Sequence, residues 1–161
     1  MRRMILALSV LALCLPRPSH ADDFGYRGWG PRVGLSVDPD QVLFGAHLDL
    51  SEARGHFRLQ PNIEMGLGDN LVTLGFNLDA AYRFASRWEQ WTPYLGGEKG
   101  LRVFSDDANG LTDETGTDTG VALIGGIERG LASGSRFFLE SKLGFVDAPD
   151  IRLLAGWTFH P

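Results

Sequence analysis

One histidine and one carboxylate are spaced as a catalytic pair would be. His47 and Asp49 lie two positions apart in an alternating apolar and polar segment, so both side chains point to the same face of a strand. A histidine beside a carboxylate is the arrangement of a general base and its orienting partner. The sequence places no serine or cysteine nucleophile beside them. A structural, hydrogen-bonding role for His47 is therefore favoured over an enzymatic one.

An acidic segment, residues 105–118 (SDDANGLTDETGTD), is the second candidate for chemistry. Carboxylates are the ligands that calcium prefers. Their spacing here does not match that of a helix-loop-helix calcium site. A solvated acidic loop is the favoured interpretation, and no metal or other cofactor is predicted.

A third set of charged residues recurs on the polar side of successive alternating segments. Buried charges must be paired and hydrogen-bonded, and the two signs in this set nearly balance. If this side faces a closed interior, an interior polar network is predicted from Asp49, Arg58, Glu64, Asp79, Arg83, Glu98, Arg102, Glu128, Glu140, Lys142 and Arg152.

Alternation with a period of two is the signature of a strand with one apolar face. Residues 56–67 and 72–84 each give six or more consecutive matches, which leaves little room for a helix. The remaining segments are noisier but follow the same period. Eight strands are predicted, at residues 32–37, 41–50, 56–67, 72–84, 92–104, 119–130, 136–146 and 150–159.

The first 21 residues have the features of a cleavable export signal. Arg2 and Arg3 precede a short apolar run, Pro16 breaks that run, and residues 19–21 place small residues at the positions that a signal peptidase reads. The run is too short to cross a bilayer as a helix. We therefore expect a signal peptide at residues 1–21, an N-terminal tail at residues 22–31 and one domain at residues 32–161.

The composition excludes several classes of protein. Twenty acidic residues against 15 basic ones, a formal net charge of −5, argue against a nucleic-acid partner. The single cysteine, Cys14, lies in the expected signal, which leaves no disulfide framework afterwards. No later apolar run approaches the roughly 20 residues of a transmembrane helix. An exported chain of this kind is either soluble or a β-barrel.

Alternation alone does not say which face lies inside a barrel. Glycines are frequent on the polar face, and glycine suits a crowded interior where opposing walls approach closely. An even number of strands, strands of about 9–11 residues and aromatic residues near strand ends are typical of outer-membrane barrels. These features favour an all-β fold, an eight-stranded antiparallel up-and-down transmembrane β-barrel with its apolar face outward.

The closing strand carries a resemblance to a known family. Ile151, Leu153, Ala155, Trp157 and Phe159 fall on every second position and end on an aromatic residue. This chain resembles the small eight-stranded outer-membrane barrels of the OmpA-type and OmpX-type transmembrane domain, over residues 32–159. In that family this pattern is the assembly signal and ends at the terminal aromatic, whereas here His160 and Pro161 follow it.

The resemblance implies an outer-membrane location and several partners. These are outer-membrane lipid and lipopolysaccharide, the barrel-assembly machinery and periplasmic chaperones, with a monomer expected. The predicted function is a non-enzymatic barrel with a packed polar interior and a structural or surface-interaction role. The alternatives are a narrow channel, a lipid-modifying barrel enzyme and a soluble periplasmic ligand-binding barrel.

Overall fold

A computed structural model describes residues 24–52, 56–69, 71–86, 88–106 and 114–161. They form eight antiparallel strands that close into one barrel in chain order, each strand pairing with its neighbours in sequence. The predicted eight-stranded antiparallel up-and-down barrel is confirmed. The strands are β1 (Phe24–Val37), β2 (Gln41–Glu52), β3 (Phe57–Gly68), β4 (Leu71–Arg83), β5 (Thr92–Asp106), β6 (Glu114–Gly130), β7 (Arg136–Val146) and β8 (Ile151–Thr158).

The first and last strands close the barrel. β1 pairs with β8 in a continuous register that sets Val33 opposite Ala155. Beyond β8, Trp29 and Phe159 exchange two backbone hydrogen bonds of 3.1 and 2.7 Å. Closure gives the edge strands partners, which an open sheet would leave unpaired. We call the end of the barrel that holds Phe24 and Phe159 the terminal end, and the opposite end the loop end.

The polarity of the two faces is reversed relative to a water-soluble core. In β3, Arg58, Asn62 and Glu64 are buried inside the barrel, while Ile63 and Met65, which alternate with them, are exposed on the outside. The same alternation follows from the period of two in the other strands. The interior is therefore polar and the outer surface apolar.

β1 is longer at its start than the sequence predicts. It begins at Phe24, so most of the segment expected to be a tail, residues 22–31, is strand. The pairing with β2 shifts register between Tyr26 and Gly28, and both Tyr26 and Arg27 are exposed. This β-bulge interrupts the alternation on which the prediction depends.

The predicted acidic loop is also shorter than expected. β5 continues to Asp106 and β6 begins at Glu114, so residues 114–118 belong to a strand. Asp118 pairs with Arg102 across these two strands. Residues 107–113 of this loop and residues 1–21 of the expected signal lie outside the described residues.

Lys99 and Pro61, a charged residue on an apolar face and a proline within a strand, both sit in regular register. Lys99 pairs with Leu78 and Val121 and faces outward, with no shift near Gly96 and Gly97. The β2–β3 pairing is interrupted beside Pro61, which has no backbone N–H, but the register is the same on both sides. A second bulge lies instead between Val121 and Ala122. Among the described residues, no helix is long and apolar enough to cross a membrane.

Candidate functional site

The predicted network residues line the barrel interior. Ten of the eleven are buried, and Arg102, the exception, is half-buried near the loop end, where its Nη2 donates to the backbone oxygen of Asp147 at 3.1 Å. Each of these ten takes part in at least one ion pair. The ten are Asp49, Arg58, Glu64, Asp79, Arg83, Glu98, Glu128, Glu140, Lys142 and Arg152.

Lys142 lies at the centre of the interior. Its ammonium has four carboxylates within ion-pair distance, and its side chain is 0% exposed. The Nζ–oxygen distances are 2.5 Å to Glu98, 3.0 Å to Asp79, 3.4 Å to Glu64 and 3.6 Å to Glu140. A single cation therefore forms ion pairs with carboxylates from four strands, β3, β4, β5 and β7.

Two arginines complete what we call the central cluster. Arg152 of β8 pairs with Glu64 at 3.0 Å and forms a short contact with Glu98. Arg32 of β1 pairs with Glu64 at 3.0 Å and with Asp79 at 3.2 Å. The cluster is Arg32, Glu64, Asp79, Glu98, Glu140, Lys142 and Arg152.

A second group, the terminal cluster, lies nearer the terminal end. Arg83 Nε is 2.8 Å from Glu128, and Arg136 Nη1 is 3.0 Å from Asp49. Arg83 also pairs with Asp49 at 3.4 Å, and Arg136 with Glu128 at 3.4 Å. Each arginine thus bridges both carboxylates. The cluster is Asp49, Arg58, Arg83, Glu128 and Arg136.

Arg58 joins the two clusters. Its Nη2 donates to Glu140 at 2.7 Å, and its Nη1 lies 3.5 Å from Glu128. The guanidinium stacks 4.0 Å from the ring centre of Tyr94, whose hydroxyl donates to the same Glu140 at 2.9 Å. Together the two clusters hold six cations and six anions, so the ion-paired interior is neutral overall.

Glycines make room for the two aromatic rings inside the barrel. A Cβ atom at Gly126 would meet the ring of Tyr94, and one at Gly156 would meet the ring of Phe138. Both rings are buried and lie against arginines of the network. Close approach, rather than a special backbone conformation, explains the glycine at these positions.

Sequence reasoning missed two members of the network. Arg32 begins the predicted strand 32–37 but is not among the predicted network residues, although it shares a face with Gly34 and Ser36. Arg136 begins the predicted strand 136–146 and shares a face with Glu140 and Lys142, but it is not among the predicted network residues either. The alternation along the predicted strands 32–37 and 136–146 is enough to place both side chains on the inner face.

The structure does not join His47 and Asp49. His47 Nε2 lies 2.9 Å from Thr158 Oγ1, and its ring meets that of Phe138 edge-on. Asp49 accepts from Ser51, Arg83 and Arg136. The prediction that no serine lies beside the pair is therefore wrong, but the Ser51 hydroxyl donates to Asp49 and accepts from Arg83, as a structural side chain does. In the part of the chain that the structure describes, no group of three or more histidine, cysteine, aspartate or glutamate side chains is arranged to hold a metal ion.

The outer surface carries the residues of the closing-strand pattern. Ile151, Leu153, Trp157 and Phe159 are exposed, and Ala155 is half-buried. At the terminal end the rings of Trp157 and Phe137 are 4.9 Å apart, and those of Phe159 and Trp29 are 5.9 Å apart. These residues form part of an aromatic rim around that end of the barrel.

Known structures share this architecture. Neisserial surface protein A matches with a TM-score of 0.65 at 14% identity, over 84% of this chain and 96% of that one. The N-terminal β-barrel domain of Pseudomonas aeruginosa OprF matches with a TM-score of 0.60 at 13% identity, over 84% and 98%. The outer membrane enzyme PagL matches with a TM-score of 0.47 at 12% identity, over 81% and 96%.

No protein-family model and no curated protein sequence matches the chain. At these identities the likeness to solved structures concerns the fold alone. The chain therefore has the fold of the small eight-stranded outer-membrane barrels. This fold carries more than one function, so function must be argued from the residues.

Proposed function

We propose that this protein is an integral outer-membrane β-barrel with a packed polar interior and a structural or surface-interaction role, without enzymatic activity. Two features support the proposal. The fold is that of proteins that reside in the outer membrane. The contacts of His47 and Asp49, with Thr158 and with arginines respectively, are those of structural side chains.

The reversed polarity of the barrel is the observation that carries the proposal. Large apolar side chains are exposed around the barrel, among them Leu35 at 59%, Phe76 at 50% and Leu153 at 57%. Soluble monomers rarely expose a contiguous apolar surface of this extent. A lipid bilayer removes that cost, and closure satisfies the backbone in lipid.

Cell fractionation tests the location directly. Membranes from expressing cells are run on detergent gels both unheated and boiled. Recovery in the outer membrane with a heat-dependent mobility shift is the expected result, because a folded barrel resists detergent until it is heated. Recovery in the periplasm without detergent and without a shift would contradict the proposal and favour the soluble barrel.

The proposed route to the membrane involves the partners expected from the sequence. Residues 1–21 direct export, chaperones carry the chain across the periplasm, and the assembly machinery reads Trp157 and Phe159 on the last strand. In the membrane the outward face contacts lipid and lipopolysaccharide. The pairing of Phe159 with Trp29 supports a role for this residue in closing the barrel.

A further inference from the structure

An open cavity of about 720 Å³ lies at the terminal end of the barrel. Its volume is in the range of small-molecule sites, about 300–1,000 Å³. Its charged lining comes from the ends of β4, β6 and β7 and from the β4–β5 turn. These residues are Arg83, Glu89, Glu128, Arg129 and Arg136.

Part of the cavity wall is the terminal cluster, where cations outnumber anions. Glu128 is within ion-pair distance of Arg58, Arg83 and Arg136, at 3.5, 2.8 and 3.4 Å. This cluster contains three arginines and two carboxylates, while the central cluster contains three cations and four carboxylates. The ion-paired interior is neutral overall, but its positive charge is in excess beside the cavity. This local excess contrasts with the net charge of the whole chain, which is −5.

Arg129 adds a further cation at the outer edge of the cavity, because it pairs in register with Phe137 and so lies on the outward face of β6. Its guanidinium lies 5.4 Å from the ring centre of Trp91, which holds the side chain in place. Its buried Nε has no hydrogen-bond partner. Arg136 also stays accessible, because its side chain is 25% exposed while it pairs with Asp49 and Glu128.

We propose that this cavity binds an anionic group, a phosphate or a carboxylate, through Arg136, with Arg129 contributing positive charge at its outer edge. A guanidinium is planar and presents paired N–H donors that match both groups. Glu89 on the wall opposes binding and reduces the positive excess without cancelling it. The anion is supplied either by a soluble molecule or by a lipid headgroup, because the cavity opens at the end of the barrel.

Gly130 allows a test that leaves the salt bridges in place. It lines the cavity, and a Cβ atom there would meet nothing within 4 Å. Gly130→Asp therefore adds a negative charge to the cavity without a clash. Gly25→Asp is the matched control, because Gly25 lies in β1 at the same end with equally open space and does not line the cavity.

The folded full chain in non-ionic detergent is titrated with inorganic phosphate and with a short-chain phosphatidylglycerol, and heat is measured at constant ionic strength. Saturable binding is expected, about tenfold weaker in Gly130→Asp and weakened to a smaller degree in Arg129→Gln. Gly25→Asp is expected to bind like the wild type. Glu89→Gln should bind more tightly.

The two probes separate the sources of the anion. Binding of phosphate, either alone or with an affinity similar to that of the lipid, supports a soluble anion, and binding of the lipid alone supports a headgroup. Absence of saturable binding to either probe would overturn the proposal. Equal affinities for Gly130→Asp and Gly25→Asp would overturn it as well, because binding would then lie outside the cavity.

Discussion

Lys142 is the residue on which the interior charge balance depends most. Replacing it with methionine keeps the apolar stem but leaves four carboxylates with one cation fewer. Breaking a buried ion pair from one side costs about 3–5 kcal/mol, because the remaining charge stays buried without its partner. Lys142→Met is expected to lower the free energy of unfolding by that amount, measured by urea titration in lipid vesicles. An unchanged value would mean that the carboxylates are not held by Lys142.

Lys99 gives the opposite expectation for the same substitution. It faces outward between Leu78 and Val121, so in a membrane its ammonium would lie against lipid. A lysine near the bilayer midplane costs about 2–4 kcal/mol on the lipid face. Lys99→Met is therefore expected to raise the free energy of unfolding in vesicles, measured as for Lys142→Met. A loss of stability would place this residue in a protein contact instead of lipid.

At the scale of the element, two adjacent glycines of β5 test the assignment of faces. A Cβ atom at Gly96 would meet the backbone oxygen of Ala80 and come within 2.6 Å of the Cα atom of Ala81. At Gly97, on the outward face, the nearest atom is 3.6 Å away. Gly96→Ala should destabilise the barrel by about 1–3 kcal/mol through overpacking.

Gly97→Ala is the control for that substitution. It should be neutral or stabilise the barrel by about 0.4–1 kcal/mol, because alanine loses less backbone entropy on folding. Thermal and urea unfolding of the two variants in the same vesicles measures the difference. Equal effects at the two positions would contradict the inward and outward faces of β5.

Residue alternation predicts the elements well where one face is apolar and fails where it is not. β7 is predicted with both ends correct, because outward Leu139 and Leu143 alternate with inward Glu140 and Lys142 along it. The start of β6 is missed, since residues 114–118 are polar or glycine and carry no period. The start of β1 is missed because a bulge near Arg27 puts two successive side chains on one face.

The contacts of the candidate site were predictable only in part. The alternation of side chains along a strand places Glu64 and Arg152 on the inner face. Their pairing, however, depends on how eight strands are staggered around the barrel. Arg152 and Glu64 are 88 positions apart in the chain, and no local pattern links them. The excess of positive charge at the terminal end likewise appears only when residues of β2, β3, β4, β6 and β7 are brought together.

The last strand carries a prediction about assembly. Phe159 pairs with Trp29 where the barrel closes, and it ends the pattern that resembles the family's assembly signal. Phe159→Ala is expected to reduce the amount of folded protein in the outer membrane several-fold, while the purified variant still refolds in detergent. Phe145→Ala, an exposed phenylalanine of β7, is the control. Equal levels for the two variants on heat-shift gels would contradict a special role for Phe159.

At the scale of the whole molecule, the central cluster separates a cavity at the terminal end from a much smaller one toward the loop end. The cavity at the terminal end measures about 720 Å³, whereas that toward the loop end, bordered by Glu98 and Arg152, measures only about 30 Å³. The central cluster lies between them, with Lys142 and Arg32 reaching carboxylates on several strands. A barrel of eight strands has an interior that side chains can fill.

The central cluster blocks the path along the barrel axis, so ion conductance distinguishes a packed barrel from a narrow channel. An ion crossing the interior would have to part Lys142 from Glu98 and Arg152 from Glu64, and each separation leaves a charge buried without a partner. The purified barrel in planar bilayers is therefore expected to show no conductance steps above those of the protein-free membrane. Steps that scale with the amount of folded protein, and that a boiled sample lacks, would show that the network opens and would favour the channel.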